Sequence, residues 1–186
     1  MPEEVTGREH WAHKGDVRLF LWEKFVGAPA PRRGIILFIH GSSMASQPTF
    51  DLQVPGMPDM SVMDVFARAG YDCWCLDNEG YGRSSKHRDI PCDIATGADD
   101  IEAAADYIAR LRGQEPLLLY GISSGALKAA VFAARRPERV KRLALDAFVW
   151  TGEGSPTLEE RRKKLPQYLA GGNRRPIDRA FVHSIF

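Results

Sequence analysis

Residues 117–125 read Leu-Leu-Leu-Tyr-Gly-Ile-Ser-Ser-Gly, an apolar run that breaks into Gly121-x-Ser123-x-Gly125 and then opens a helix. A strand that turns this sharply into a helix needs small residues on both sides of the bend. The same bend pushes the serine hydroxyl out of the fold, beside the unpaired N–H groups of a helix start. This constrains the chain more tightly than its composition does. The strand needs a sheet to sit in and helices to cover it.

The rest of the sequence supplies both. Ile35–Ile39 is apolar at every position, as expected of a strand buried on both faces of a parallel sheet. Ser61-Val-Met-Asp64 has capping-box spacing and opens a helix that Gly70 ends. Tyr71–Leu76 reads as the next strand. A helix follows over Asp93–Arg112, with Ile101, Ala104, Ala105, Ile108 and Leu111 on one face. Leu117–Tyr120 is a strand, Ser124–Arg136 a helix stopped by Pro137, and Val140–Leu145 a strand. Ahead of them, His10–His13 and Val17–Phe25 flank a Lys14-Gly15-Asp16 turn and read as a hairpin. Strands alternating with helices predict an α/β fold: a mostly parallel, doubly wound sheet with an N-terminal β-hairpin.

After Phe148 the pattern changes. Thr157-Leu-Glu-Glu160 has capping-box spacing and starts a helix carrying Arg161, Arg162, Lys163 and Lys164. Gly171-Gly-Asn173 breaks it, and Pro176 is expected to start a second helix. Two helices without an intervening strand do not continue a sheet, so residues 151–186 read as the beginning of a helical lid on a core formed by residues 1–150. The sheet is expected to be incomplete, because its last strand would leave an edge open.

With 44% apolar and 26% charged residues and a formal net charge of +1, the chain has no charge bias toward nucleic acid or an anionic membrane. No apolar run approaches the ~20 residues of a membrane span, and the polar Met-Pro-Glu-Glu start is not a secretory signal. Cys73 and Cys75 alternate along one strand and Cys92 lies in a loop. With no His/Cys cluster beside them they read as small core residues rather than a metal pair. Three cysteines without a disulfide framework predict a reducing, cytoplasmic setting. No cofactor is expected.

Three distinctive loops follow the predicted strands. They are His40-Gly41-Ser42-Ser43, Asp77-Asn-Glu-Gly80-Tyr-Gly82-Arg83-Ser84, and Gly121-Ile-Ser123-Ser124-Gly125. In open α/β sheets the ligand crevice lies at these carboxyl ends. In this order the three motifs resemble the α/β-hydrolase fold superfamily, over about residues 8–150. The resemblance implies that Ser123 is the nucleophile and that the backbone N–H groups of Ser42 and Ser124 form an oxyanion hole, each donor being worth ~3 kcal/mol. The lesser alternative for Ser123 is a helix N-cap, a position where serine is favoured. The resemblance makes His40 a structural residue packed behind the oxyanion loop rather than a base. Asp77, Gly80, Gly82 and Arg83 become the turn that braces that loop. Glu79 departs from the basic residue often seen there in the family, and His87 is expected on the surface. A serine nucleophile also argues against the dehalogenase and epoxide-hydrolase branches, which use aspartate.

The Ser43–Met60 connection is long for a βα loop. Its Met44, Phe50, Leu52, Val54, Met57 and Met60 either wall a substrate pocket or fold over the core. The Arg161–Lys164 run is expected to be a solvated helix face, with attraction of anionic substrates as the alternative.

A serine hydrolase also needs an acid and a histidine, which this family carries in the order Ser, Asp/Glu, His. Asp146 ends the strand after Ser123, and His183 satisfies the order from within the lid. The stronger expectation is that both partners lie beyond residue 186, in the same polypeptide or in a second chain. The expected function is cleavage of a carboxylic ester or related acyl bond in a small molecule through an acyl-enzyme on Ser123. The alternatives are a non-catalytic binding protein of the same fold and an inactive fragment.

Overall fold

Six strands form one sheet in the order β1-β2-β4-β3-β5-β6. The strands are β1 (Val5–Lys14), β2 (Val17–Val26), β3 (Ile35–Ile39), β4 (Asp72–Leu76), β5 (Leu117–Ile122) and β6 (Val140–Asp146). The computed structural model describes residues 4–29, 33–57, 59–113, 116–149, 151–174 and 177–183. The chain divides into two compact units, Met1–Arg88 with Cys92–Phe148, and Asp89–Pro91 with Val149–Phe186.

In the first unit, β4, β3, β5 and β6 run parallel, while the β1–β2 hairpin joins antiparallel through β4. Strand β1 starts five residues before the predicted segment and ends one residue after it. Its first half, Val5–Glu9, is polar and largely exposed, which an edge strand paired on one side tolerates. Helices cover both faces. On one, α3 (Ile94–Arg112) and α4 (Ser124–Arg135) close over Leu19, Ile35, Leu37, Trp74 and Leu119. On the other, α1 (Ser46–Phe50) and α2 (Val62–Arg68) pack Phe50, Met63 and Ala67 on Ile36, Phe38, Cys73 and Cys75. The two cysteines are core residues of this face. Because β3 lies between β4 and β5, the chain turns opposite ways after β3 and after β4. The switch point therefore falls between the carboxyl ends of β3 and β5.

The helix starts follow their caps. Ser61 Oγ accepts from Asp64 N–H at 3.0 Å, and the Asp93 carboxylate accepts from Thr96 N–H at 2.8 Å. On α3 the buried face is Gly97, Ala98, Asp100, Ile101, Ala104, Ala105 and Ile108, whereas Leu111 is 45% exposed. The predicted apolar stripe drifts off the core in the last turn, where Arg112 turns inward instead. Asp99, Glu102 and Asp106 on α3 pair with Arg135 at the end of α4 and with Arg136 and Arg139 just after it, tying that end of α4 to α3.

The second unit contains α5 (Pro156–Ala170) and α6 (Arg179–His183), neither with a buried residue. The cap of α5 is Ser155, whose Oγ accepts from Leu158 N–H, not Thr157 as the capping-box spacing suggested. Pro156 at the first helical position has its φ fixed for helix and no N–H to satisfy, which shifts the start upstream. Arg161–Lys164 is exposed. Pro176 lies outside the described residues. No helix of the described chain is long and apolar enough to cross a membrane.

Candidate active site

Ser123 joins β5 to α4 with φ 57° and ψ −122°, a conformation costing a non-glycine residue on the order of 1–3 kcal/mol. The surroundings enforce it. A Cβ on Gly121 would lie 2.4 Å from the Gly125 carbonyl oxygen, and one on Gly125 would lie 2.3 Å from that of Ile39 and 2.5 Å from that of His40. Only glycine lets α4 approach both strands this closely. The Ser123 N–H donates to the Asp146 carbonyl at 2.9 Å, tying the bend to the end of β6. Although Ser123 precedes the helix, its side chain makes no capping hydrogen bond, and the residue is exposed. The capping alternative is thereby set aside.

The His40–Ser43 loop meets this bend. A Cβ on Gly41 would sit 3.2 Å from Ser123 Cβ and 3.7 Å from its Oγ. Ser42 follows Gly41, and Ser124 is the first residue of α4, where the amide has no intrahelical partner. The loop's far side is held by Asp77. Its Oδ1 accepts from the Ser46 N–H and hydroxyl at 2.8 and 2.6 Å, and its Oδ2 accepts from Arg83 N–H at 2.8 Å. Gly82 must be glycine, since a Cβ there would overlap Asp77 Oδ2 at 2.0 Å. Arg83 lies over the Phe20 ring and pairs with exposed Glu9. His87 is exposed and faces Asp16. Of the long loop, Phe50 is buried in the core, while Met44, Leu52, Met57 and Met60 stay at least one-third exposed.

Behind these loops lies a buried polar network that sequence reasoning missed. His40 is fully buried. The Asn78 N–H donates to its Nε2 at 3.1 Å, so the ring proton sits on Nδ1 and points at the Gly41 carbonyl, 2.6 Å away. Burial, and next the charge of Lys128, push the His40 pKa down to about 4 and keep the ring neutral. Lys128 is itself buried and donates to Asn78 Oδ1 at 3.0 Å; burial lowers its pKa to about 8. Asp100 Oδ2 accepts from the Glu79 N–H and the Asn78 amide, and its Oδ1 accepts from Lys14. Glu79 is buried as an anion held by Arg88, 2.7 and 2.5 Å, and Lys14, 3.0 Å. The signal for Lys128 was present in the sequence. With Gly125, Ala129 and Phe132 it occupies helical spacing on the buried face of α4.

A family model for the alpha/beta hydrolase fold matches residues 34–185. The chain belongs to the α/β-hydrolase fold family. It is 32% identical over 102 residues to the alpha/beta hydrolase domain-containing protein VTE7 of Arabidopsis thaliana, covering 54% of this chain and 29% of that one. Lipase lipl-5 of Caenorhabditis elegans is 28% identical over 108 residues, covering 53% and 26%. Among solved structures, the thioesterase domain from the curacin biosynthetic pathway superposes with a TM-score of 0.63 at 25% identity, covering 93% of this chain and 57% of that one. The chain thus matches less than a third of the length of either curated relative.

Two further candidates, Asp146 and His183, belong to different parts of this α/β-hydrolase-fold chain. Asp146 ends β6, but its carboxylate accepts from the Tyr120 hydroxyl at 2.5 Å. Burial and that carboxylate push the Tyr120 pKa up to about 12. His183 lies in the second unit, where its Nε2 accepts from Arg179 at 3.2 Å. A groove of about 590 Å³ opens on the α2 face of the sheet, lined by Phe38, Phe66, Tyr71, Leu118, Tyr120 and Leu143 among others. Its walls are strands and α2; none of the Ser43–Met60 residues lines it. Among the described residues no group of three His, Cys, Asp or Glu is placed to hold a metal ion.

Proposed function

We propose that the protein carries the nucleophile and oxyanion hole of a serine hydrolase that cleaves a carboxylic ester or related acyl bond. Ser123 Oγ attacks the carbonyl carbon while its proton passes to a histidine base. The oxygen of the tetrahedral intermediate takes hydrogen bonds from the Ser42 and Ser124 N–H groups. The carbon–oxygen bond to the alcohol breaks, and the histidine returns the proton to the leaving oxygen. Water, activated by the same base, then hydrolyses the acyl-enzyme. The observation that carries this reading is the strained, exposed Ser123 backed against Gly41, because a serine serving only as a cap would not need the left-handed backbone.

The histidine and acid are assigned to polypeptide outside residues 1–186, since Asp146 is bonded to Tyr120 and His40 is buried with both ring nitrogens occupied. The groove, and the edge position of β6 in the sheet of the described residues, support further structure packing there. Residues 151–186 are taken as the beginning of a lid. Free, buried Cys73 and Cys75 support a reducing, cytoplasmic setting.

The test is reaction of the full-length natural polypeptide with a fluorophosphonate probe. Labelling is expected, with the adduct on Ser123 in a peptide digest and none in Ser123→Ala. An unlabelled, folded protein would instead point to a binding protein that shares the fold.

A further inference from the structure

We infer that Lys128 is a positioning residue for the oxyanion hole, holding the Gly41–Ser42 peptide in the orientation that presents the Ser42 N–H to the substrate. The inference rests on the reading of Ser123 as nucleophile, but it has a structural consequence that stands apart from activity.

In a trans peptide the carbonyl and the following N–H point in opposite directions. Whatever fixes the Gly41 carbonyl therefore aims the Ser42 N–H. That carbonyl accepts from His40 Nδ1 at 2.6 Å, which requires the Nδ1–H tautomer, and the tautomer is set by the Asn78 N–H donating to Nε2 at 3.1 Å. Asn78 is in turn clamped from two sides. Its Oδ1 accepts from Lys128 Nζ at 3.0 Å and its Nδ2 donates to Asp100 Oδ2 at 3.3 Å. Lys128 supports the same peptide by a second route. Its ammonium lies 5.4 Å from the centre of the Tyr81 ring, which packs against His40 at 4.8 Å, and the Tyr81 hydroxyl donates to the Ser42 carbonyl at 3.2 Å. Both routes thus end on the two carbonyls flanking the Ser42 amide.

Lys128 has no freedom to serve elsewhere. It is 2% exposed, and its stem fills the place that a Cβ on Gly97 would occupy, with Cγ, Cδ and Cε at 2.4–2.7 Å. A glycine on α3 and a lysine on α4 are therefore matched in shape. A buried cation is a costly way to fill space, because an apolar side chain of equal volume would be as stable or more so. Its presence is explained by what it holds.

The experiment compares wild type with Lys128→Met, which keeps the volume and removes the charge, and with Gly97→Ala, which displaces the stem and leaves the charge. Two quantities are read: the second-order rate of fluorophosphonate labelling per folded molecule, and the NMR signals of the His40 ring nitrogens and the Ser42 amide. In both variants labelling is expected to slow by roughly 10–100-fold, as for a displaced oxyanion donor. The His40 ring should lose its pure Nδ1–H tautomer, and the Ser42 amide should shift. A folded variant that keeps either the wild-type labelling rate or the wild-type His40 and Ser42 signals overturns the inference. Should Lys128→Met not fold, Gly97→Ala decides on the same two readings. If wild type is itself unlabelled, the nucleophile reading fails, and the NMR comparison alone decides whether Lys128 orients this peptide.

Discussion

The two ends of helix α3 carry buried charge of similar chemistry and opposite use. Near its start, at the carboxyl edge of the sheet, Asp100 joins Lys14, Glu79 N–H and Asn78, and the chain of contacts runs on to the His40–Ser42 loop. At its end, at the amino edge, Arg112 reaches Asp72 and Glu23, and Glu23 accepts from His10 at 2.9 Å. That second cluster joins α3 to β1, β2 and β4 and goes no further. Satisfied polar networks rigidify what they touch. At the carboxyl edge the rigidified object is a loop peptide beside Ser123; at the amino edge it is only the packing of strands and helix.

The sharpest way to break this contrast is at the carboxyl edge. Gly125→Ala places a methyl group against two backbone oxygens, at 2.3 and 2.5 Å, neither of which can rotate away. Helix α4 must then retreat from β3 and carry Ser123 with it. We expect labelling of Ser123 to fall by at least about 100-fold, since a displacement of about 1 Å has that effect on a reacting group. Stability should fall by about 1–3 kcal/mol. Labelling at the wild-type rate would show that the close fit of α4 on β3 does not position Ser123.

Arg112→Leu tests the other end. Removing the guanidinium leaves Glu23 and Asp72 buried beside each other, a loss of about 3–5 kcal/mol for a broken buried pair. The melting temperature should drop by about 10 °C, at ~2–4 °C per kcal/mol for a domain of this size. Labelling per folded molecule should stay within about twofold of wild type. A comparable fall in labelling would mean that the two ends of α3 are mechanically coupled and do not differ in use.

How much of this was legible in the sequence follows the range of the interactions. The parallel strands and their helices were readable because burial on two faces leaves unbroken apolar runs such as Ile35–Ile39, and caps such as Ser61 and Asp93 act within three residues. The elbow was readable because close approach demands glycine at 121 and 125. The first half of β1 was not, because an exposed edge strand has no apolar alternation to display. Nor were the partners of Asp100, since Lys14 lies 86 residues away and nothing local marks the pairing. Lys128 is the instructive case. Its place on the apolar stripe of α4 identifies it as buried, but only the fold shows that Asn78 and Gly97 wait opposite it.

The smallest expected effect separates two buried groups, Asp72 at the amino edge and His40 at the carboxyl edge, by the sign of their response to acid. Burial, and next the charge of Glu23, raise the Asp72 pKa from 3.8 to about 6. Its folded form therefore holds a proton that the unfolded chain releases, so Asp72 favours the fold increasingly as pH falls from about 6 toward 4. His40 works the other way. Its pKa drops from 6.5 to about 4, so over the same window the unfolded chain takes up a proton that the folded protein refuses, and acidification disfavours the fold. Asp72→Asn removes the first contribution and leaves the second. Between about pH 7 and about pH 4.5 the variant should lose a few degrees more of melting temperature than wild type does. Parallel losses in the two proteins would show that Asp72 binds no extra proton on folding. A smaller loss in the variant would reverse its assigned sign and place the acid sensitivity at the amino edge instead of at His40.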